Sequence, residues 1–179
     1  MSRKLDLLVS LRTRDLAALT AEETIRKRIP GGEKLARLDR ADFWEFTFDG
    51  REGFREAMEK LVRESNLFVN PNKHAYRFAD DYRTGWQGAC ALVAVRGRED
   101  LEGALAEETL RSRYRVPGLT RVRYATLWIL QFDAAAGEDL ALLAESLSIA
   151  TERKGGLLVN PHYQDYEIER SRPSERTAR

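Results

Sequence analysis

The stretch Leu157-Leu158-Val159-Asn160-Pro161 decides the fold, because the chain has already spelled it once as Leu67-Phe68-Val69-Asn70-Pro71. Five residues after each proline stands a tyrosine, Tyr76 and Tyr166, and two residues later an apolar residue, Phe78 and Ile168. The echo predicts two copies of one module, so that elements read around one anchor should reappear around the other.

Upstream of the first anchor, Phe54, Ala57, Met58, Leu61 and Val62 fall on one stripe of an amphipathic helix. Before it, Leu35 to Phe48 reads as extended structure, open to division into two short strands joined by a tight turn. Trp44, Phe46 and Phe48 lie on one face as candidate core, with Glu45 and Thr47 on the other. Pro30-Gly31-Gly32 marks a turn. Thr20-Ala21-Glu22-Glu23 fits a capping box, predicting a helix that starts there and runs to about Ile29. Leu5, Leu7, Val9 and Leu11 alternate with Asp6, Leu8 and Ser10, the period of a half-buried strand. After each anchor, the residue before proline is biased out of helical geometry, so the chain should leave its helix there and enter a last strand through the tyrosine.

The second copy follows the same order. Ala91, Val93 and Val95 match Leu7, Val9 and Leu11; Ala106-Glu107-Glu108-Thr109-Leu110-Arg111 echoes Ala21-Glu22-Glu23-Thr24-Ile25-Arg26. Trp128, Leu130 and Phe132 align with Trp44, Phe46 and Phe48, and Leu140, Leu143, Ala144 and Leu147 form the helix stripe before the repeated Asn-Pro. Opposite the Trp128 face stand Leu127 and Ile129, where the first copy has Phe43 and Glu45. A strand apolar on both faces needs cover on both sides, which predicts that the two copies pack together as a pseudo-dimer. The expected organisation is a first module over 1–79, a linker over 80–88 in which Tyr82 and Trp86 suggest packing, a second module over 89–169 and a disordered basic tail over 170–179.

Of the 179 residues, 42% are hydrophobic and 33% charged, a balance that supports a packed core under a heavily charged exterior and argues against general disorder. Thirty basic and twenty-nine acidic residues nearly cancel, so no global field draws the chain to nucleic acid or an anionic membrane. The arginines of the tail, Arg170, Arg172, Arg176 and Arg179, lack interleaved aromatics and read as a solvated end. Met1-Ser2-Arg3-Lys4 mimics the start of a signal peptide, but Asp6 interrupts the apolar run behind it, and the expectation is a cytoplasmic protein without a membrane span.

Chemistry-bearing motifs are sparse. Cys90 is the only cysteine and sits among alanines, which favours a buried structural thiol over a nucleophile. His74 and His162 lack the spacing of a metal site, and neither a Walker loop nor a dinucleotide fingerprint occurs. Asp165 and Glu167 beside Tyr166 could do acid–base work, but the first copy offers Ala75 and Arg77 instead. No catalytic, cofactor-binding or metal residue is therefore assigned.

Strand, helix, extended segment, helix, Asn-Pro and tyrosine-bearing strand give an α+β fold with a split βαβ plan of the ferredoxin-like kind, twice in tandem. The run from Leu157 to Ile168 resembles the carboxy-terminal signature of the PurS family, the small subunit of phosphoribosylformylglycinamidine synthase, and Leu67 to Phe78 resembles it less closely. Asn160, Pro161, Asp165 and Tyr166 match that signature; the first copy keeps Asn70, Pro71 and Tyr76 but has His74 and Ala75 at the acidic positions. The segments after the first strand, Thr13-Arg14-Asp15-Leu16 and Gly97-Arg98-Glu99-Asp100, depart from the family's pattern. The resemblance implies a subunit of an ATP-dependent amidotransferase complex without catalytic residues or a cofactor of its own. Its role would be to bridge a PurQ-like glutaminase and a PurL-like synthetase in purine biosynthesis, and self-association is compatible with it. The matched residues of both copies would then face the partners. An alternative on the same plan is a small-ligand-binding regulator or an α+β-barrel oxygenase-type enzyme, which should have a closed pocket rather than an exposed, partly apolar face.

Overall fold

A computed structural model describes residues 2–50, 52–133, 139–151 and 155–171. Within them the chain runs β1 (Arg3–Leu11), α1 (Leu16–Arg28), a 3-10 turn (Gly32–Lys34), β2 (Leu35–Phe48), α2 (Phe54–Glu64) and β3 (His74–Ala79). It then repeats as β4 (Ala89–Gly97), α3 (Leu101–Ser112), β5 (Leu119–Phe132), α4 (Leu140–Ser148) and β6 (Gln164–Arg170). The fold is α+β, with four helices and a six-stranded antiparallel sheet among the described residues, in the order β3-β1-β2-β5-β4-β6.

Two sequence expectations about element boundaries are corrected. Helix α1 starts at Leu16, not at the Thr20 box: the Asp15 carboxylate accepts the Ala17 and Ala18 amides at 2.8 and 3.3 Å. The Thr20 hydroxyl is already bonded back to the Leu16 carbonyl at 2.8 Å and Glu23 pairs with Lys27, so neither is free to cap. Asp100 opens α3 in the same way through the Gly103 amide. The second correction concerns the tight turn within Leu35 to Phe48: the segment is extended over the expected bounds, but as one continuous strand of 14 residues. Between Leu35 and Phe48 there is no glycine, proline or asparagine to supply a tight turn. At the preceding turn Gly32 is obligatory, since a Cβ there would lie 2.1 Å from the Ile25 carbonyl oxygen.

The register also moves the correspondence of the first strands by two residues. Leu5, Leu7 and Val9 face Phe46, Trp44 and Asp42, while Ala91, Val93 and Val95 face Leu130, Trp128 and Thr126. Val9 pairs with Tyr76 as Val95 pairs with Tyr166. The equivalents of Ala91, Val93 and Val95 are therefore Leu5, Leu7 and Val9, and Leu11 lies at the exposed strand end. A slip of two residues keeps every side chain on its own face, so alternation in the sequence cannot detect it.

The chain divides into two compact units, and each draws on both copies of the repeat. One unit comprises Met1–Thr13, Ala41–Tyr82 and Glu99–Ala125; the other comprises Arg14–Arg40, Arg83–Arg98 and Thr126–Arg179. In the first, Leu5, Leu7, Phe46, Phe48 and Met58 of the first copy are buried in one cluster with Ala106 and Leu110 of α3. In the second, Ala91, Val93, Leu130, Leu143 and Leu147 of the second copy are buried with Ile25 of α1. The helix that follows the first strand of each copy thus completes the core of the other unit.

A carboxylate clasp, buried in the first copy and half-buried in the second, ties that helix to the strand following it. Glu22, only 3% exposed, accepts the Leu38 amide at 2.9 Å and is flanked by Arg14 and Arg26 at 2.8 and 3.0 Å. Glu107 accepts the Val122 amide at 2.9 Å and pairs with Arg111 at 2.9 Å. Arg26 and Arg111 then donate to the carbonyls of Ala36 and Thr120. The echoed Ala-Glu-Glu-Thr run marks the clasp in the sequence.

Trp44 and Trp128 border their cores, each partly buried. Trp44 meets Phe68 edge-on at 4.9 Å, and the Arg40 guanidinium lies 5.9 Å from the Trp128 ring centre. Leu92, Leu127 and Ile129, on the opposite face of the second unit's sheet, are as buried as the helix-facing side. Of the expected tail, Arg170 ends β6 and the Ser171 amide bonds the Cys90 carbonyl at 3.0 Å; residues 172–179 lie outside those described.

Candidate partner-binding site

The two Asn-Pro segments fold into the same turn, one in each unit. The Asn70 side-chain oxygen accepts the Asn72 amide at 3.0 Å, and its carbonyl accepts the amides of Lys73 and His74. The Asn160 side-chain oxygen accepts the His162 amide at 3.1 Å, and its carbonyl accepts those of Tyr163 and Gln164. The amide of each asparagine is met by the side chain four residues on: His74 Nδ1 at 3.2 Å in one turn, Gln164 Oε1 at 2.8 Å in the other. Asparagine is needed because its short carbonyl closes an Asx turn, and proline because its fixed φ opens the next turn without needing a donor. The pattern shared by the two copies is thus first a device for steering the backbone from helix to edge strand.

Beyond each turn the tyrosines remain available. Tyr76 on β3 is 41% exposed and Tyr166 on β6 is 37% exposed; Leu67 and Leu157, which precede the turns, are exposed as well. Each unit therefore presents an outward leucine and tyrosine around a rigid Asn-Pro turn on an outermost strand of the sheet. Pro71 and Asp165 are exposed too, while Pro161 is half-buried. Asp165 stands opposite Arg96 in the register, and Arg96 pairs with Glu167 at 3.6 Å. The acidic residues beside Tyr166 are thus associated with a structural arginine.

A groove of about 330 Å³ in the second unit is lined by Ile29, Pro30, Glu145, Ser146, Ile149 and Tyr166, among others. A larger cleft in the first unit sets Arg3, Lys4 and Arg55 among Glu52, Glu56 and Asp80, and Arg55 is bonded to Asp80 at 2.8 Å. Its charges are largely matched. His74 is occupied by the Asn70 amide, and His162 is exposed on the second turn. Cys90 is buried, donates to the Gln87 carbonyl at 3.1 Å and has its pKa pushed up by burial, which disfavours the reactive thiolate. Among the described residues no group of three or more His, Cys, Asp or Glu side chains could hold a metal ion, and no helix is long and apolar enough to cross a membrane.

One polar cluster escapes a reading of the sequence. Asp6, on the first unit's sheet face opposite its core, is 4% exposed, and its Oδ2 accepts the Tyr82 amide at 2.9 Å. The signal was the same Asp6 that breaks the first apolar run, but its partner lies 76 residues away in the connecting segment. No family model, no curated protein and no solved structure matches the chain.

Proposed function

We propose that the chain is a non-catalytic, PurS-like accessory subunit that joins a PurQ-like glutaminase to a PurL-like synthetase in phosphoribosylformylglycinamidine synthase. On this reading its two halves are ferredoxin-like modules forming an intramolecular pseudo-dimer. The observation that carries the proposal is the duplicated docking element: in each unit an Asx-closed Asn-Pro turn is flanked by an exposed leucine and an exposed tyrosine. Amphipathic aromatics held on a rigid backbone are suited to interface anchoring, because little side-chain freedom is lost on binding. Helix exchange between copies supports the same reading, since it supplies two presentation sites on one covalent framework. The chain then works in the cytoplasm and leaves the chemistry to its partners.

The test is glutamine-dependent synthetase activity of PurQ and PurL proteins reconstituted with and without the chain, with the mass of any complex measured alongside. Assembly and a gain in activity, both lost in Tyr76→Ala/Tyr166→Ala, are expected. Absence of both with partners that respond to another PurS subunit overturns the proposal. The groove at Tyr166 favours the second reading, a small-ligand-binding regulator. That reading requires a small molecule to raise the melting temperature of the isolated chain.

A further inference from the structure

The Asp6 cluster is independent of that functional reading and lies wholly within the first unit. Asp6 comes from β1, and directly opposite it in the register is Glu45 of β2, a second carboxylate on the same face. Glu45 is paired with Lys4 at 3.1 Å. Asp6 Oδ2 has the Tyr82 amide, but Oδ1 is buried with no hydrogen-bond partner. The equivalent pair in the other copy, set by the register, is Leu92 opposite Ile129, both buried. An acid pair thus occupies a position where the same sheet geometry elsewhere holds two hydrocarbons.

Three contacts hold Tyr82. Its amide donates to Asp6, its carbonyl accepts from Arg77 of β3 at 3.4 Å, and its ring lies 4.6 Å from that of Phe43. It stands three residues past the end of β3, in the segment that leads to β4. A buried carboxylate with one bare oxygen is costly, whereas a carboxylic acid in the same place is tolerated. The ionisable and charged groups around Asp6 are Lys4 on its own strand, Glu45 on β2, Arg77 on β3, and Asp81 beside Tyr82.

We propose that Asp6 is a proton-operated clasp: it holds the Tyr82 peptide while it carries a proton, and the chain leaving β3 loosens when that proton is lost. Ionisation puts a negative charge beside Glu45 and Asp81 and demands water at Oδ1, which local opening of the segment admits. Burial first, then Glu45 and Asp81, raise the Asp6 pKa to about 7, against the lowering effects of the Tyr82 bond and Lys4. The transition therefore falls near neutrality.

The test is amide hydrogen exchange at Tyr82 in the full chain between pH 5 and 8.5, corrected for the intrinsic pH dependence of exchange. Protection is expected to fall about tenfold per pH unit between pH 5 and 7 and to level off above, as one proton linked to opening requires. In Asp6→Asn the protection should persist with no such slope. Wild-type protection that is flat over this range, or a slope surviving in Asp6→Asn, overturns the proposal. If Asp6→Asn does not fold, the carbon-13 titration of the wild-type Asp6 carboxyl decides. A midpoint near 7 that moves down in Glu45→Gln supports the clasp, and a midpoint near 4 refutes it.

Discussion

Replacing Leu110 by alanine tests the exchange of helices. Leu110 belongs to the second copy, yet it is fully buried in the cluster that contains Leu5, Phe46 and Met58. Truncating a fully buried leucine removes its transfer energy and leaves a cavity, costing about 3 kcal/mol. Because many positions could cost that much, the decisive quantity is the coupling measured by urea unfolding in double-mutant cycles. Leu110→Ala combined with Met58→Ala, a change in the same core, should deviate from additivity by roughly 0.5–3 kcal/mol. Combined with Leu143→Ala, which lies in the other cluster though it shares Leu110's half of the sequence, it should be additive within about 0.5 kcal/mol. Coupling to Leu143 with none to Met58 would mean that α3 packs within its own copy, and the exchange would be refuted.

Glu22→Gln leaves Arg14 and Arg26 facing a neutral buried amide and should lower unfolding free energy by about 2 kcal/mol in a denaturant titration. Asn160→Ala opens the Asx turn before β6 and should cost about 1 kcal/mol, and Tyr166→Ala, at a partly exposed ring, should cost about 1–2 kcal/mol. For Asp6 burial raises the folded pKa to about 7, above that of an ordinary solvated aspartate, so the folded state holds its proton more tightly and stability falls as pH rises from about 4 to 7 and stays low above. At about 1.4 kcal/mol per unit the full loss is at most roughly 4 kcal/mol. Unfolding curves of Asp6→Asn should lack this decline and exceed the wild type at pH 8.

Much of the fold was legible because the repeat reported each element twice. Phe54 to Val62 form one helical stripe, and Phe46, Phe48, Leu130 and Phe132 face the cores as their alternation requires. What the pattern could not carry was long-range choice. Nothing in Ile25 or Leu110 says which copy's sheet will receive it, since either sheet offers equivalent apolar positions. The cap at Asp15 was obscured by a better-looking Thr20–Glu23 box, and only the three-dimensional turn decides which side chain is free to reach an amide. The register of β1 was hidden by the period of two. At the candidate site the Asn-Pro-to-tyrosine spacing was visible, but not the division of labour within it, in which asparagine closes the turn and tyrosine remains exposed.

The two copies differ most where the repeat is least constrained by its helices. On the core side the pairs match in kind: Leu7 with Val93, Val9 with Val95, Phe48 with Phe132. On the opposite face Asp6 and Glu45 stand where the second copy has Leu92 and Ile129. In an assembly of identical chains one substitution changes both faces at once, whereas a duplicated chain can alter one copy while the other keeps its hydrocarbon packing. The exchanged helices make that divergence tolerable: α1 and α3 fix both cores from the side that has stayed apolar. The cost of burying Asp6 beside Glu45 is then borne by one face of one unit, where the Tyr82 peptide, Lys4 and Arg77 offset part of it.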